Sequence, residues 1–424
     1  MTEKEKKERD NKDSLIGLAQ GEIVQRHGEA SSQILQAYKG IRVDHNGHLE
    51  DFYGRNLKQI SEYNLGDNPD VSRKQQSGFS AELIKESRDN KQAVINGESN
   101  RTRTTDGIGK TNDTQYDHVI VDENGNVQEG SGSQMKFLKS RTTENGQTKY
   151  NVIDKLAKDT SWDRYDGPVD IPSDQYEGAV RYAKEEAEKL EKQAAALREQ
   201  GNIEKAKEIE EKAQRYRDAQ KRVRDSGVSS AEALDARNNP EKFVAKEMLK
   251  SGHEAGVAAA KGTMIVSGVV SGVKNMCAVV AGEKDLDEAA VDVTKTVAKD
   301  GATAYSVANI GTGIKALMHA SKNELIRELG ASAVNLPVLL ANTTVSVGKN
   351  LYRFAKGEIN SEELVYALGQ NGMELTGGCI GGTVGLALGG PIGAAIGSFA
   401  GTLISKIIYN GVTKILHETK MSAQ

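Results

Sequence analysis

Gln134 and Lys136 stand two residues apart in the segment SQMKFL. A strand there puts both side chains on one face. Asp117 stands at the start of the preceding run, DHVIVD, in which apolar and polar residues alternate. Glu82 lies upstream on a stretch with helical periodicity. Two carboxylates and a carboxamide oxygen suit a hard divalent cation such as Mg²⁺, which takes oxygen ligands. An ammonium beside them suits an activated water and the negative charge that builds up as it attacks. Asp117, Gln134, Lys136 and Glu82 are therefore the candidate catalytic set, with Asp117, Glu82 and Gln134 as the metal ligands.

These residues need a small scaffold. Residues 78–95, GFSAELIKESRDNKQAVI, read as an amphipathic helix with Ser80 as its N-cap. Residues 97–115 are rich in Gly, Asn and Thr and read as a loop. HVIVD, the turn ENGN and the return SQMKFL predict a β-hairpin over 116–138. A short strand at 169–171 leads to a helix capped at Ser173. Residues 174–225 predict a charged helical hairpin that turns at Gly201, a solvated spur with Glu–Lys pairs at i,i+4. Further upstream, residues 13–39 read as a helix stopped at Gly40.

The chain has 424 residues with 56 Lys and Arg against 60 Asp and Glu, a net charge of −4. No basic excess marks a nucleic-acid binder by charge alone. Two cysteines, Cys277 and Cys379, exclude a disulfide framework and a Cys-rich zinc module. Both sit in apolar segments and read as small core residues. The N-terminus MTEKEKKERDNKD has no apolar run behind it, so no signal peptide is expected.

Charge is concentrated before residue 255, and Ala, Gly, Val and Leu dominate beyond it. The segments 271–290 and 346–365 repeat at a spacing of 75, matching Lys274, Asn275, Gly282, Glu283 and Glu288 to Lys349, Asn350, Gly357, Glu358 and Glu363. They read as two tandem helical hairpins. Gly377, Gly381, Gly385, Gly389, Gly393, Gly397 and Gly401 recur every four residues inside the charge-free segment Leu375–Ser405. That spacing lines one stripe of a helix where another backbone can approach. A tight soluble bundle and a membrane-inserted oligomer both satisfy it.

The expected fold is thus an α+β N-terminal domain with a small mixed sheet and helices, then a charged helical hairpin, then an all-α Gly/Ala-rich bundle. The boundaries are 1–75, a helical region; 76–173, the site-bearing α/β domain; 174–250, the charged hairpin and linker; and 251–424, the helical-hairpin repeat domain. Two motifs are decoys. GIGKT at 107–111 lacks the first glycine of a phosphate loop, since Thr104 stands there, and has no apolar strand before it. DENGNV at 122–127 has Val127 where a calcium loop needs glycine. His118 alternates to the face opposite Asp117 and reads as packed or exposed.

The order of helix Glu82, strand Asp117, then Gln134-x-Lys136 on the next strand resembles the PD-(D/E)xK nuclease superfamily in its QxK variant. The resemblance implies a restriction-endonuclease-like fold and Mg²⁺-dependent phosphodiester hydrolysis of nucleic acid. Gln in place of the usual acid removes one formal charge from the metal site. The longer pattern QSGFSAEL, RTTD, NDTQYDH, GSGSQMKFL and IPSDQY also resembles a family of bacterial proteins found near mobile elements and defence genes. That implies anti-phage or anti-plasmid defence, in the cytoplasm or on the cytoplasmic face of the inner membrane. The implied partners are nucleic acid, the inner membrane, further copies through the glycine ladder, and a protein on the hairpin 174–225. The alternative is a non-enzymatic, membrane-perturbing abortive-infection effector whose nuclease-like domain is a sensor. If chemistry is their only role, truncation of Asp117 or Lys136 should abolish activity and cost little stability.

Overall fold

A computed structural model of the chain describes residues 3–44, 47–63, 69–111 and 113–261 (save 245 and 249), with separate positions between 301 and 338. The repeat, the glycine ladder, Cys277 and Cys379 lie outside the described residues. Among the described residues no helix is long and apolar enough to cross a membrane.

The elements run α1 (Glu3–Lys39), β1 (Arg42–Val43), β2 (Leu49–Glu50), α2 (Leu57–Glu62), α3 (Pro69–Asn96), β3 (Arg101–Thr104), β4 (His118–Val121), β5 (Gln134–Met135), β6 (Ser140–Thr142), β7 (Thr148–Tyr150), α4 (Asn151–Lys158), β8 (Val169–Ile171), α5 (Ser173–Glu199), α6 (Ile203–Arg222), β9 (Val223–Asp225) and α7 (Ser230–Asn238). Helices mixed with small sheets make the N-terminal part α+β, as its patterning predicts.

Helix boundaries follow local chemistry. Gly40 stops α1 at φ 67, its N–H and that of Ile41 both donating to the Gln36 carbonyl. Asn56 and Gln59 form a reciprocal capping box on α2. The helix expected at 78–95 starts earlier, at Pro69, a residue suited to a first helical position. Ser80 is consequently a buried mid-helix residue, not a cap. Likewise Ser173 is the first residue of α5, after Pro172, and its hydroxyl donates to Asp225 at 2.5 Å.

The chain forms two compact units, one of residues 33–42 and 50–246, the other of 1–32, 43–49 and 247–424. In the first, the stretch read as a loop contains β3, which pairs antiparallel with β4, Arg101 opposite Val121 and Thr104 opposite His118. A single bridge, His118 to Ser133, links β4 to β5. β5 then pairs parallel with β8, and β8 with β9. β3 and β4 thus form a two-stranded sheet, and β5-β8-β9 a separate three-stranded one. The hairpin expected over 116–138 is thus a loose one. Its turn is real, with Gly125 at φ 80 and Asp122 accepting from the Asn124 and Asn126 N–H groups. Its return strand, however, finds its main partner in β8.

The charged hairpin turns at Gly201, φ 78, as expected. It is not a spur. Ala179, Tyr182, Ala183 and Ala187 of α5 and Tyr216 and Ala219 of α6 join the core with Val152, Ile153, Leu156, Trp162, Val169 and Ile171. Asp154 receives the Tyr182 hydroxyl at 3.0 Å and the Tyr216 hydroxyl at 2.8 Å, tying both helices to α4. After α6 the chain adds β9 to the sheet, so the boundary expected between 173 and 174 falls inside one core.

In the second unit Val24 packs with Ala259, Ala304, Val307, Ala308 and Val338. Next to this apolar patch are buried polar groups. Lys315 is 0% exposed and its Nζ has no hydrogen-bond partner; the Nε2 of His319, the Oγ1 of Thr312 and the Oγ of Ser31 have none either. His319 Nδ1 meets Ser32 Oγ at 3.1 Å. Gly28 is required here, because an added Cβ would fall inside the Lys315 side chain.

Candidate functional site

Three polar residues four apart on α3 build the site's frame. Asn90, Glu86 and Glu82 share one helical face. Asn90 caps the outer edge of β3, accepting from the Thr102 N–H at 2.8 Å and donating to its carbonyl at 3.1 Å. Glu86 accepts from the Thr104 N–H at 2.8 Å and from Arg42 at 2.8 and 3.0 Å. Arg42 and Arg103 hold the Glu86 carboxyl below its usual range despite burial, so it stays ionised. One turn further on, Glu82 reaches the sheet with no such cation fastened to it.

His118 secures that approach from the other side. Its Nε2–H donates to the Glu82 carbonyl at 2.9 Å. His118 is buried, so of the two readings open in the sequence, packing holds.

Asp117, Gln134 and Lys136 converge. Asp117 precedes β4; its N–H donates to the Ser133 carbonyl and its carbonyl accepts from Thr105, each at 2.9 Å. Its Oδ2 accepts from Gln134 Nε2 at 2.5 Å and from the Met135 N–H at 2.7 Å, and Lys136 Nζ stands 3.9 Å away. The same-face placement inferred from the Gln-x-Lys spacing is therefore observed. Lys136 is held between Asp117 and the Tyr165 ring, whose centroid lies 5.2 Å from Nζ. Its strand is fixed by β8, the Lys136 N–H donating to the Asp170 carbonyl at 2.9 Å. Asp170 is fully buried and ion-paired to Arg224 at 2.7 Å.

The electrostatics are unbalanced. Glu82 is half-buried. Burial raises its pKa well above the usual carboxylate range; the negative charges of Asp117 and Asp106 add to this, and Lys136 opposes it. Asp117 is raised too, by burial first, against the pull of Lys136 and the Met135 N–H. Asp106, in the turn after β3, is the acidic neighbour that the sequence reading missed. The dismissed GIGKT stretch follows it directly and fixes its position: Gly109 is left-handed at φ 83 and its N–H donates to the Asp106 carbonyl.

The donor set suits a hard cation in two respects. Gln134 Oε1 is buried without a hydrogen-bond partner. The bonds to Asp117 fall on Oδ2, which leaves Oδ1. As it stands, though, no group of three His, Cys, Asp or Glu side chains close enough to hold a metal exists among the described residues. Two carboxylates and one amide oxygen are what the site has.

The expectation that Asp117 can be truncated at little cost needs correction. Its removal leaves the Met135 N–H and the Gln134 amide without their acceptor in a buried setting. Asp117→Ala should lose roughly 1–3 kcal/mol, and Lys136→Ala less than about 1 kcal/mol. Urea denaturation of both variants at neutral pH separates the two; equal midpoints would contradict the role given to Oδ2.

No protein-family model, no curated protein and no solved structure matches the chain.

Proposed function

We propose that the chain is a metal-dependent nuclease of the PD-(D/E)xK kind, in its QxK variant, coupled to a C-terminal apolar helical part and acting in bacterial defence against phage or plasmid DNA. The observation that carries this reading is the meeting of Gln134 and Lys136 at Asp117 Oδ2, beside the start of β4 and along β5, both of which follow the helix bearing Glu82. The order along the chain is that of the restriction-endonuclease-like fold which the sequence resemblance implies.

Asp117, the Gln134 amide oxygen and Glu82 would hold Mg²⁺. When bound, the ion lowers the pKa of a water and draws charge from the phosphate oxygens. The chain's own residues do the rest. Asp117 orients the Lys136 ammonium. Lys136 stands where it can steady a phosphate oxygen as negative charge develops. Tyr165 limits the directions that the Lys136 side chain can take. Glu82 holds a proton more readily than a solvated glutamate does, and a cation at the site would displace it.

Lys136→Ala is the decisive variant because it should stay folded. The purified full chain should cleave DNA or RNA with Mg²⁺ or Mn²⁺ and not with EDTA, and Lys136→Ala should lower the rate at least about 100-fold, as for loss of one preorganised charge donor. Cleavage that survives either EDTA or Lys136→Ala would overturn the reading. The membrane-perturbing alternative would then lead; it rests on residues 375–405, outside the described residues.

A further inference from the structure

A cleft of about 230 Å³ opens beside the acidic residues, within the same compact unit. Phe52, Tyr53, Arg55, Phe79, Glu82 and Asp106 are among its lining residues. Two of them are large aromatics left open to solvent, Tyr53 at 65% and Phe79 at 40%. Neither is loose. Phe79 sits on α3, one turn before Glu82. Tyr53 is fixed at three points. Its N–H donates to the Gly107 carbonyl at 3.2 Å, its hydroxyl donates to Asp51 at 3.0 Å, and its ring packs over Gly109. Gly107 and Gly109 belong to the turn that carries Asp106, so Tyr53 and Asp106 share one rigid support. Arg55 places a cation at the rim, its guanidinium 3.8 Å from the Tyr63 ring centroid.

We propose that this cleft takes one unpaired nucleobase, with its sugar, from a nucleic-acid strand whose adjacent phosphate lies at the Asp117–Lys136 site. The proposal rests on the nuclease reading and specifies its substrate as single-stranded or locally unpaired. Four features converge on that occupant. Preorganised aromatic faces stack on any base and ask for no sequence. Arg55 complements a phosphate flanking the stacked base. The volume accepts a base and sugar, and a base paired in a duplex reaches such a cleft only after it is extruded. The acidic floor repels a strand unless a cation is present, which couples binding to the metal.

The test uses the full chain carrying Lys136→Ala, with Ca²⁺ or Mg²⁺, and fluorescence anisotropy of a short labelled single strand and of the same sequence as a duplex. The single strand should bind at least about tenfold more tightly than the duplex. Added Tyr53→Ala or Phe79→Ala should weaken single-strand binding by about 5- to 100-fold, the loss of one base–aromatic stack, and leave duplex binding unchanged. Tyr53→Trp should restore it. Melting curves check the fold, which these exposed positions should not disturb. Equal affinity for both substrates, or indifference to both aromatic substitutions, would overturn the proposal. A free mononucleotide competing as well as the strand would overturn the strand assignment. The two readings also fail separately. Tyr53-dependent strand binding with no cleavage by the unmodified chain under any cation removes the nuclease and keeps the cleft. Metal-dependent cleavage indifferent to Tyr53 and Phe79 does the reverse.

Discussion

Acid should open the helical unit built on Gly28, Thr312, Lys315 and His319. His319 is pushed down to about 3, by burial first and then by the positive charges of Lys315 and Arg327, with Asp44 opposing. It is therefore neutral in the folded chain, while an unfolded histidine takes up a proton below about pH 6.5. Between those two values the unfolded state binds more protons, so stability falls as pH falls. The fall from the ordinary histidine value of 6.5 to about 3 corresponds to roughly 4–5 kcal/mol across that window. Lys315 acts in the opposite range. Burial lowers it to about 8 against an unfolded value near 10.5, so its cost is complete below pH 8 and is relieved as pH rises. Hydrogen exchange of amides in 24–32 and 303–320 should therefore accelerate on going from pH 6.5 toward 4, beyond the intrinsic pH effect. Lys315→Met should slow it at neutral pH, because an unpaired ammonium leaves the interior. Exchange in these segments that is independent of pH over that range, and unchanged by Lys315→Met, would remove the basis of this argument.

The unit that carries the candidate site should respond to pH in the opposite direction. The Glu82 carboxyl is raised in the folded state, so the folded chain binds more protons than the unfolded one above the ordinary carboxylate pKa. Stability from this group is complete below about pH 4.3 and is lost as pH rises through the folded value. Glu82→Gln removes the charge and keeps the shape. At pH 7–8 it should stabilise the unit by on the order of 1–2 kcal/mol while abolishing the proposed cleavage, a trade of activity for stability. At pH 4 the melting curves of variant and parent should converge. Mg²⁺ should raise the melting temperature of the parent at neutral pH and have little effect on Glu82→Gln. A variant less stable than the parent at pH 8 would mean that Glu82 is paired rather than strained.

Both effects arise from groups whose chemistry was only partly legible in the sequence. Gln134, Lys136 and Asp117 could be placed together because strand alternation is strictly two-fold and a Gln-x-Lys pair must share a face. The turn at Gly125, the hairpin turn at Gly201 and the stop at Gly40 were legible for a similar reason: each is a left-handed position that suits glycine. β3 was not. RTRT has no apolar alternation, since its outer edge is satisfied by the Asn90 side chain and by Glu86, both set by α3. The start of α3 was missed because Ser80 resembles a cap, although a buried serine inside a helix looks the same in sequence. Asp106 was hidden by a false phosphate-loop motif. The hairpin 174–225 reads as solvated because its core face is largely alanine and tyrosine, weak hydrophobic signals next to a dense run of Glu and Lys.

The late arrival of β9 sets the order in which the molecule can assemble during synthesis. The hairpin β6–β7 closes over a handful of residues, whereas β8 meets β9 only after the whole of α5 and α6 has been made, Asp170 pairing with Arg224 across 54 positions. Contacts of that separation are entropically expensive and form late. Until Arg224 joins, Asp170 lacks its cation, and β8 is an open edge beside the strand that carries Gln134 and Lys136. A nascent chain that has emerged as far as Lys136 thus holds every residue of the candidate site and still lacks the strand that braces it. A growing polypeptide therefore carries the side chains of the candidate site before the sheet beside them is closed.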